Sequence, residues 1–458
     1  MTDQAAALGE SRPTRRCGRR LFLYGGVFLG AILARLHAIG LKPFWMDEVT
    51  TIERSSKPFL AMIVDALTHH HLPAYFILSS WVLHFGSSET VLRLPSAIFG
   101  ALSCGVLASI GRRSGGWRVG LLAGLLMAFS PIQVQYGQEA RPYALMILGI
   151  VIALKGLVEL ALDPAAAGAP IGAPAARRAW GLYLIGTWTA INVLSAALPW
   201  LIVAAVAAAA LALQPGMDRR QFLRNWAIVH AIIAALSIPL FIAMSALGLG
   251  GIDGGLDWVP PLTAGHIWSA TASVFLFRVS SLISFHLYPA AIPGFAAMIL
   301  GLAVLGALFL RHRPPLLVAI AAACTVLPLL LLAISLRYPV WMPRYVLWSA
   351  PGFFLLVAFG LRLLPAPLRS PALALLILLA GINLLPYYRD ETKPRWDLAA
   401  SALEADIQPG DLVLVRDDWR RQMMELYLAR AGAPPAVAWT TDVAAATAKI
   451  LSKEPAQA

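Results

Sequence analysis

Residues 180–213 read WGLYLIGTWTAINVLSAALPWLIVAAVAAAALAL, and how this run is divided decides how the rest of the chain is threaded. It holds no Asp, Glu, Lys or Arg, and it is too long for a single crossing of a hydrocarbon layer, which takes about 20 residues. Ser195 and Pro199 supply a break, because proline has no N–H to continue a helical ladder. A tight turn there makes two helices, 180–196 and 198–213. Without it every later loop would change sides. The cluster Arg219, Arg220 and Arg224 supports the turn, since basic loops stay on the cytoplasmic side.

Working outward, the same pattern recurs. The chain has 458 residues, 59% hydrophobic and only 13% charged, which predicts an all-α polytopic membrane protein. Further candidate spans are 21–40, 91–111, 118–136, 140–161, 222–246, 290–310, 315–336, 346–363 and 371–387, about eleven in all. Arg19-Arg20-Leu21-Phe22-Leu23 resembles a twin-arginine export signal, but no small-residue cleavage site follows, so 21–40 reads as an uncleaved first helix. Five arginines between residues 12 and 20 hold that end in the cytoplasm. Counting sides from there, the inner loops carry Arg112, Arg113, Arg118, then Arg177 and Arg178, Arg219 to Arg224, Arg311 and Arg313, Arg362 and Arg369. The outer loops carry the acidic residues Asp47, Glu48, Glu53, Asp65, Glu89, Glu139, Asp253 and Asp257 with about as many cations, and the carboxyl terminus falls outside. The net charge of +12 is thus a topology signal and no mark of nucleic-acid binding. Cys17, Cys104 and Cys324 suggest neither a disulfide framework nor a thiolate metal site.

Three regions follow: a tail, 1–20; a membrane module, 21–387; and a small outer α/β segment, 388–458. Outer loop 41–90 has helical apolar spacing, with Phe59, Met62, Ile63 and Ala66 on one stripe and a short apolar piece from Leu72 to Phe85. Outer loop 247–289 opens Gly-rich at Gly250 to Gly255, passes Trp258 and Pro260-Pro261, and ends amphipathic near His286, as a lid or a headgroup anchor would. After Tyr388 the pattern predicts a helix over 396–405, a turn at Gln408 to Asp411, a strand over 412–415, a helix over 420–431 and a strand over 436–439. So short a segment must dock on the membrane module or be marginally stable.

Chemistry is sought among charged groups on the outer side: Asp47, Glu48, His69, His70, His71, Arg93, Glu139, Arg141, Arg278, Arg337 and Arg344. Adjacent carboxylates beside a membrane are costly unless they bind a cation or move protons. Asp47-Glu48 therefore reads either as a general base or cation ligand, or as the capped start of a helix. His69-His70-His71 adds candidate ligands, of which at most two can share one helical face, or else is a solvated loop. For a metal the candidates are Glu48, His70 and His71, and they define no coordination set. Arg93, Arg141 and Arg344 run against the orientation bias. Guanidiniums grip phosphate with two parallel bonds, so they suit a phosphate-bearing lipid, the alternatives being pairs with Glu89 or Glu139 or snorkelling to headgroups.

Four ordered motifs carry a family resemblance. They are Phe44-Trp45-Met46-Asp47-Glu48; His71-Leu72-Pro73-Ala74-Tyr75; Phe85 to Glu89 with Leu92-Arg93-Leu94-Pro95-Ser96; and Tyr136 to Leu145, which holds Gln138, Glu139, Arg141 and Tyr143. Together with Arg344-Tyr345 and Pro351 they resemble the bacterial GT-C glycosyltransferases, in particular the protein mannosyltransferase and aminoarabinose transferase group. The resemblance is good over 20–160 and loose over 335–450.

It implies an enzyme of the bacterial cytoplasmic membrane that moves a sugar, with inversion, from a polyprenyl-phosphate donor to a lipid, glycan or protein acceptor on the periplasmic face. Asp47 would be the base or acceptor-orienting group, and Glu48 would bind acceptor or metal. Arg344, Arg141 and Arg93 would neutralise the carrier phosphate, and His71, Tyr75, Gln138, Glu139, Tyr143 and Tyr345 would line the substrate. The family's histidine motif has two prolines where this chain has Pro73 alone. No Gly-rich phosphate loop appears, and a lipid-linked donor needs none. A transporter or flippase of lipid-linked saccharides is the competing expectation. It would use polar groups deep in the spans, here Arg35, His37, Asn192 and His230.

Overall fold

The computed structural model describes residues 13–248, 259–276, 292–389, 391–408, 411–415, 418–432 and 438–440. In chain order the helices are α1 (Pro13–Leu36), α2 (Met46–Ser55), α3 (Phe59–Thr68), α4 (Ala74–Leu83), α5 (Glu89–Gly115), α6 (Trp117–Ala128), α7 (Pro131–Gly137), α8 (Tyr143–Leu162), α9 (Pro164–Ala167) and α10 (Pro174–Val193). They continue with α11 (Trp200–Ala212), α12 (Arg219–Leu247), α13 (Ala264–Phe275), α14 (Ile292–Leu310), α15 (Pro314–Ser335), α16 (Pro343–Val346), α17 (Ala350–Gly360), α18 (Ala366–Arg389), α19 (Trp396–Glu404) and α20 (Asp418–Ala431). Strands β1 (Leu412–Leu414) and β2 (Ala438–Thr440) pair in parallel, Val413 opposite Trp439.

The chain is an integral, all-α membrane protein, and the expected spans fall on helical segments, 118–136 on two of them. Among the described residues six helical runs are long and apolar enough to cross a membrane: α5, α8, Ser195–Ala212, α12, α15 and α18. A bent pair, α6 with α7, makes a seventh. The division of residues 180–213 is as the sequence predicts. After α10 a 3-10 turn at Ser195–Ala197 leads through Pro199 into α11, and the Trp348 indole donates to the Ala196 carbonyl freed by that turn, at 3.1 Å.

The expected span 118–136 is a correction, for α6 stops at Ala128 and α7 leaves at 62°. Pro131 opens α7, and the residue before a proline is pushed out of helical geometry. Such a break frees carbonyls inside an apolar bundle, where an unpaired one is costly. Arg35 answers them from α1, donating to Ala128 O at 3.2 Å and Gln133 O at 3.3 Å. Gly137 makes room, since a Cβ there would meet Arg35 Nε at 2.8 Å.

Small residues set the closest packing. A Cβ on Gly156 would meet the Tyr183 backbone nitrogen at 2.6 Å, so only glycine lets α8 and α10 approach this closely. The first outer loop folds into α2, α3 and α4, and Met62 and Ala66 are buried while Phe59 is exposed. The tail closes over this loop. Ala400, Met423, Tyr427 and Leu428 share an apolar cluster with Phe44, Val49, Leu92 and Ala140. Gly250 to Gly255, Trp258, Arg278 and His286 of the expected lid lie outside the described residues, as do Pro409-Gly410 of the expected turn, residues 436 and 437 of the last strand, and residues 1–12.

Candidate functional site

The start of α2 places the two carboxylates in opposite environments. Trp45 is the residue before the helix, and Glu48, in its first turn, reaches back to accept the Trp45 N–H at 2.9 Å. The capping role therefore falls to Glu48. Successive helical residues diverge by about 100°, so Glu48 points inward, fully buried, while the Asp47 side chain keeps 22% of its surface exposed.

Glu48 is saturated. Its Oε1 accepts from Arg93 Nε at 2.8 Å and from the Ala140 N–H at 2.9 Å. Its Oε2 accepts from Arg93 Nη2 at 2.9 Å and Lys393 Nζ at 2.6 Å, besides Trp45. Burial by itself would raise this carboxyl, but the charges and hydrogen bonds of Arg93 and Lys393 outweigh burial and hold it well below the usual range. No lone pair is left for a metal or an acceptor, so the role expected for Glu48 does not fit its surroundings.

Arg93 is corrected on the same ground. Its Nη1 donates to Ile39 O and Lys42 O, both at 2.8 Å, and Nη2 also to Pro43 O at 2.9 Å. With Glu48 these bonds use all five guanidinium N–H groups. Arg93 pins the segment that leads into α2 and has nothing left for phosphate. Gln138 is likewise spent, donating to Arg35 O at 2.8 Å and His37 O at 2.7 Å and accepting from Tyr387 at 2.8 Å. Tyr75 is buried, its hydroxyl 2.8 Å from Ser96 Oγ. Neither is placed to line a substrate.

Asp47 gathers the other expected residues. Arg344 Nη1 donates to its Oδ2 at 3.2 Å, and Arg141 Nη2 lies 3.8 Å from the same oxygen. Arg141 Nη1 also donates to the Asp47 carbonyl at 3.1 Å and to Thr51 Oγ1 at 3.2 Å, fixing the first turn of α2 beneath the carboxylate. Its Nε is buried without a hydrogen-bond partner. Tyr143 stands beside both guanidiniums and packs edge-on against Tyr136 at 4.7 Å. The Arg344 guanidinium lies 6.0 Å over the Tyr345 ring. Burial works against the Arg344 charge, but Tyr143, Tyr136 and Asp47 outweigh it and raise its pKa.

His71 flanks this group, edge-on to Phe76 at 6.0 Å. Burial first, then the positive charges of Arg141 and Arg54, push its pKa down to about 4 despite Asp47. It is a neutral imidazole at pH 7. Glu139 is buried within the field of Lys393, Glu48 and Asp47, and burial raises its pKa. Gln135 donates to its Oε1 at 3.4 Å.

The metal candidates do not converge. His70 sits exposed on a left-handed turn, φ 57°, its ring against Gly248, and His69 pairs with Asp65 at 3.6 Å. Among the described residues no three imidazole, carboxylate or thiol groups come together as a metal would need. Of the deep polar residues named for a transporter, Asn192 is held by Trp188 O and Ser237 and His230 by Tyr183 and Trp226 O, while Arg35 spends its Nη atoms on backbone carbonyls and keeps its Nε buried without a hydrogen-bond partner. Lys393 was missed. It lies just past α18, on the side that holds Glu48 and Arg93.

Residues 69–245 match the family described as dolichyl-phosphate-mannose-protein mannosyltransferase. That stretch holds His71, Arg93 and the run from Tyr136 to Leu145, while Asp47 and Arg344 lie outside it. No curated protein sequence matches the chain. Among solved structures, ArnT from Cupriavidus metallidurans in the apo state matches with a TM-score of 0.57 at 13% identity, covering 96% of this chain and 92% of that one. The same protein bound to undecaprenyl phosphate matches with a TM-score of 0.55 at 14% identity, covering 94% and 88%. The oligosaccharyltransferase AglB from Archaeoglobus fulgidus, in complex with an inhibitory peptide and a dolichol-phosphate, matches with a TM-score of 0.59 at 14% identity, covering 89% of this chain and 64% of that one. The chain thus has the GT-C fold of these glycosyltransferases and resembles the mannosyltransferase family within it.

Proposed function

We propose that the chain is a glycosyltransferase that takes a sugar from a polyprenyl-phosphate carrier and passes it, with inversion, to a hydroxyl acceptor on the face that carries Asp47. The observation that carries this reading is Asp47 facing two guanidiniums, Arg344 at 3.2 Å and Arg141 at 3.8 Å, on a fold whose solved relatives bind undecaprenyl phosphate and dolichol-phosphate. Two cations against one carboxylate leave one positive charge. A phosphodiester donor brings one negative charge and gains a second as it leaves, so the site opposes charge that develops in the transition state.

Asp47 accepts the proton of the acceptor hydroxyl as its oxygen attacks the anomeric carbon. The bond from that carbon to the phosphate oxygen breaks on the opposite face, and its electron pair stays on the carrier phosphate. The unpartnered Arg141 Nε supplies a buried N–H for that phosphate. The sidedness of the basic loops supports an outward position for this face, which in a bacterial member of the resembled group is the periplasmic face of the cytoplasmic membrane.

The test is incubation of the purified protein with a panel of polyprenyl-phosphate sugars and hydroxyl acceptors, following release of the carrier phosphate. Wild type releases it with at least one donor, and Asp47→Asn, folded to the same melting temperature, is slower by about 10²–10⁴-fold. Equal rates in the two proteins would remove Asp47 from the reaction.

A further inference from the structure

At the far end of the same helices lies a cavity chemically distinct from the Asp47 site. It has a volume of about 630 Å³ and is walled by α5, α8 and α10, with Tyr24 of α1 at its edge. Along α5, Arg112 is about 28 Å from Arg93, and along α8, Lys155 is about 18 Å from Tyr143. The cavity therefore opens towards the opposite face from Asp47.

Its charge is unbalanced. Arg112, Arg113, Lys155 and Arg178 line it against Glu159 and Asp163. Asp163 is committed to the N-terminus of α9, accepting the Ala166 N–H at 3.0 Å. Glu159 divides itself between Arg178 at 3.5 Å and Lys155 at 4.0 Å, both long for ion pairs. Among the described residues no carboxylate lies within ion-pair distance of Arg112 or Arg113. Hydroxyls hold two of the cations in place: Lys155 Nζ donates to Ser109 Oγ at 2.6 Å, and Arg112 Nε donates to the Tyr24 hydroxyl. Four cations against two carboxylates leave a double positive charge in a concave, partly apolar site. Orienting a basic loop needs no cavity, and a lysine anchored 2.6 Å from a serine between two membrane helices is not a snorkelling side chain.

We propose that this cavity binds a phosphate group carrying close to two negative charges, either the monoester headgroup of a lipid in the adjoining leaflet or free inorganic phosphate. A monoester carries about 1.5 to 2 negative charges near pH 7, which matches the surplus, and its three terminal oxygens suit two guanidiniums and an ammonium.

The test uses the full chain in two settings. In lipid-free detergent micelles, inorganic phosphate is added and the melting temperature followed. In nanodiscs of phosphatidylcholine with and without phosphatidic acid, lipids retained on the protein are identified by native mass spectrometry. Retention of phosphatidic acid about tenfold over phosphatidylcholine, lost in Arg113→Gln and in Lys155→Gln, identifies the lipid source. A rise in melting temperature with phosphate, absent from both variants and without lipid preference, identifies the free anion. Neither effect in wild type, or either effect unchanged in the variants, overturns the proposal. Arg113 is exposed, so Arg113→Gln decides alone if Lys155→Gln does not fold. Neither residue is part of the Asp47 site, and neither readout depends on sugar transfer.

Discussion

Lys393 Nζ stands 2.6 Å from Oε2 of Glu48, both side chains buried, and so ties the segment after the last membrane helix to the start of α2. The same carboxylate carries Arg93 on its other side. One anion thus organises two cations, a helix start and the docking of the tail.

Glu48→Gln leaves two buried cations without their charge partner, and breaking a buried pair in this way costs about 3–5 kcal/mol. The melting temperature falls sharply, and a variant that stays folded keeps Asp47 chemistry with a lower fraction active. The pH dependence has a definite sign. The folded carboxyl is held below its unfolded value, so its contribution is complete above the ordinary carboxylate range and is lost as pH falls through the depressed folded value. Acid unfolding followed with and without Glu48→Gln checks this, and parallel curves would contradict it.

His71 titrates in the opposite sense to a histidine facing a lone carboxylate. Burial and the neighbouring arginines hold its folded pKa at about 4, against about 6.5 when unfolded. The unfolded chain therefore binds more protons between these values, and stability falls as pH drops from about 6.5 towards about 4. His71→Gln flattens that part of the stability profile. It leaves the rate profile between pH 6 and 8 unshifted, because a neutral imidazole contributes no ionisation there.

Arg93, Arg344 and Lys393 show what the sequence can and cannot reveal. Each is a cation beside the span ends on the side that holds Asp47 and Glu48, where the orientation bias gives it no role, so all three carry the same signal of needing an anion. The sequence does not say which anion: Glu48 is 45 residues from Arg93 and 345 from Lys393. Tertiary packing chose the partner and gave Arg344, not Arg93, to Asp47. The bend after α6 was readable from Ser130-Pro131, but the apolar run on both sides masked it. The tail's helices and first strand were legible because turn residues punctuate them, whereas its docking depends on Tyr427 meeting Phe44.

Arg344 and Arg93 should separate on substitution. Arg344 touches Asp47 with partly exposed side chains on both sides, so Arg344→Gln lowers kcat by about 10²–10³ with a small change in melting temperature. Arg344→Lys recovers part of the rate, since charge returns without the guanidinium fork. Arg93→Gln instead lowers stability, because it empties the Glu48 pocket and frees three carbonyls. Steady-state rates on the folded fraction, read beside thermal unfolding, distinguish the two. Equal rate losses per folded molecule would place Arg93 at the substrate after all.

Tyr427 carries the last of the supports for Asp47. Its hydroxyl oxygen accepts the buried Phe44 N–H at 2.6 Å, while its O–H donates to Glu89 Oε1 at 2.8 Å. Arg430 reaches the same Glu89 oxygen at 2.7 Å. Tyr427→Phe keeps the ring in its apolar cluster but leaves the Phe44 N–H without an acceptor, a cost of about 1–3 kcal/mol. Phe44 lies directly before Trp45, the residue that precedes α2, so the loosening is transmitted to the first turn, where Asp47 sits. Amide hydrogen exchange across residues 44–48 should speed up by about tenfold for each 1.4 kcal/mol lost. Sugar transfer should fall through kcat, because the donor's phosphate contacts on Arg141 and Arg344 stay in place. Unchanged exchange there, with the tail still docked, would mean that α2 holds Asp47 without help from the tail.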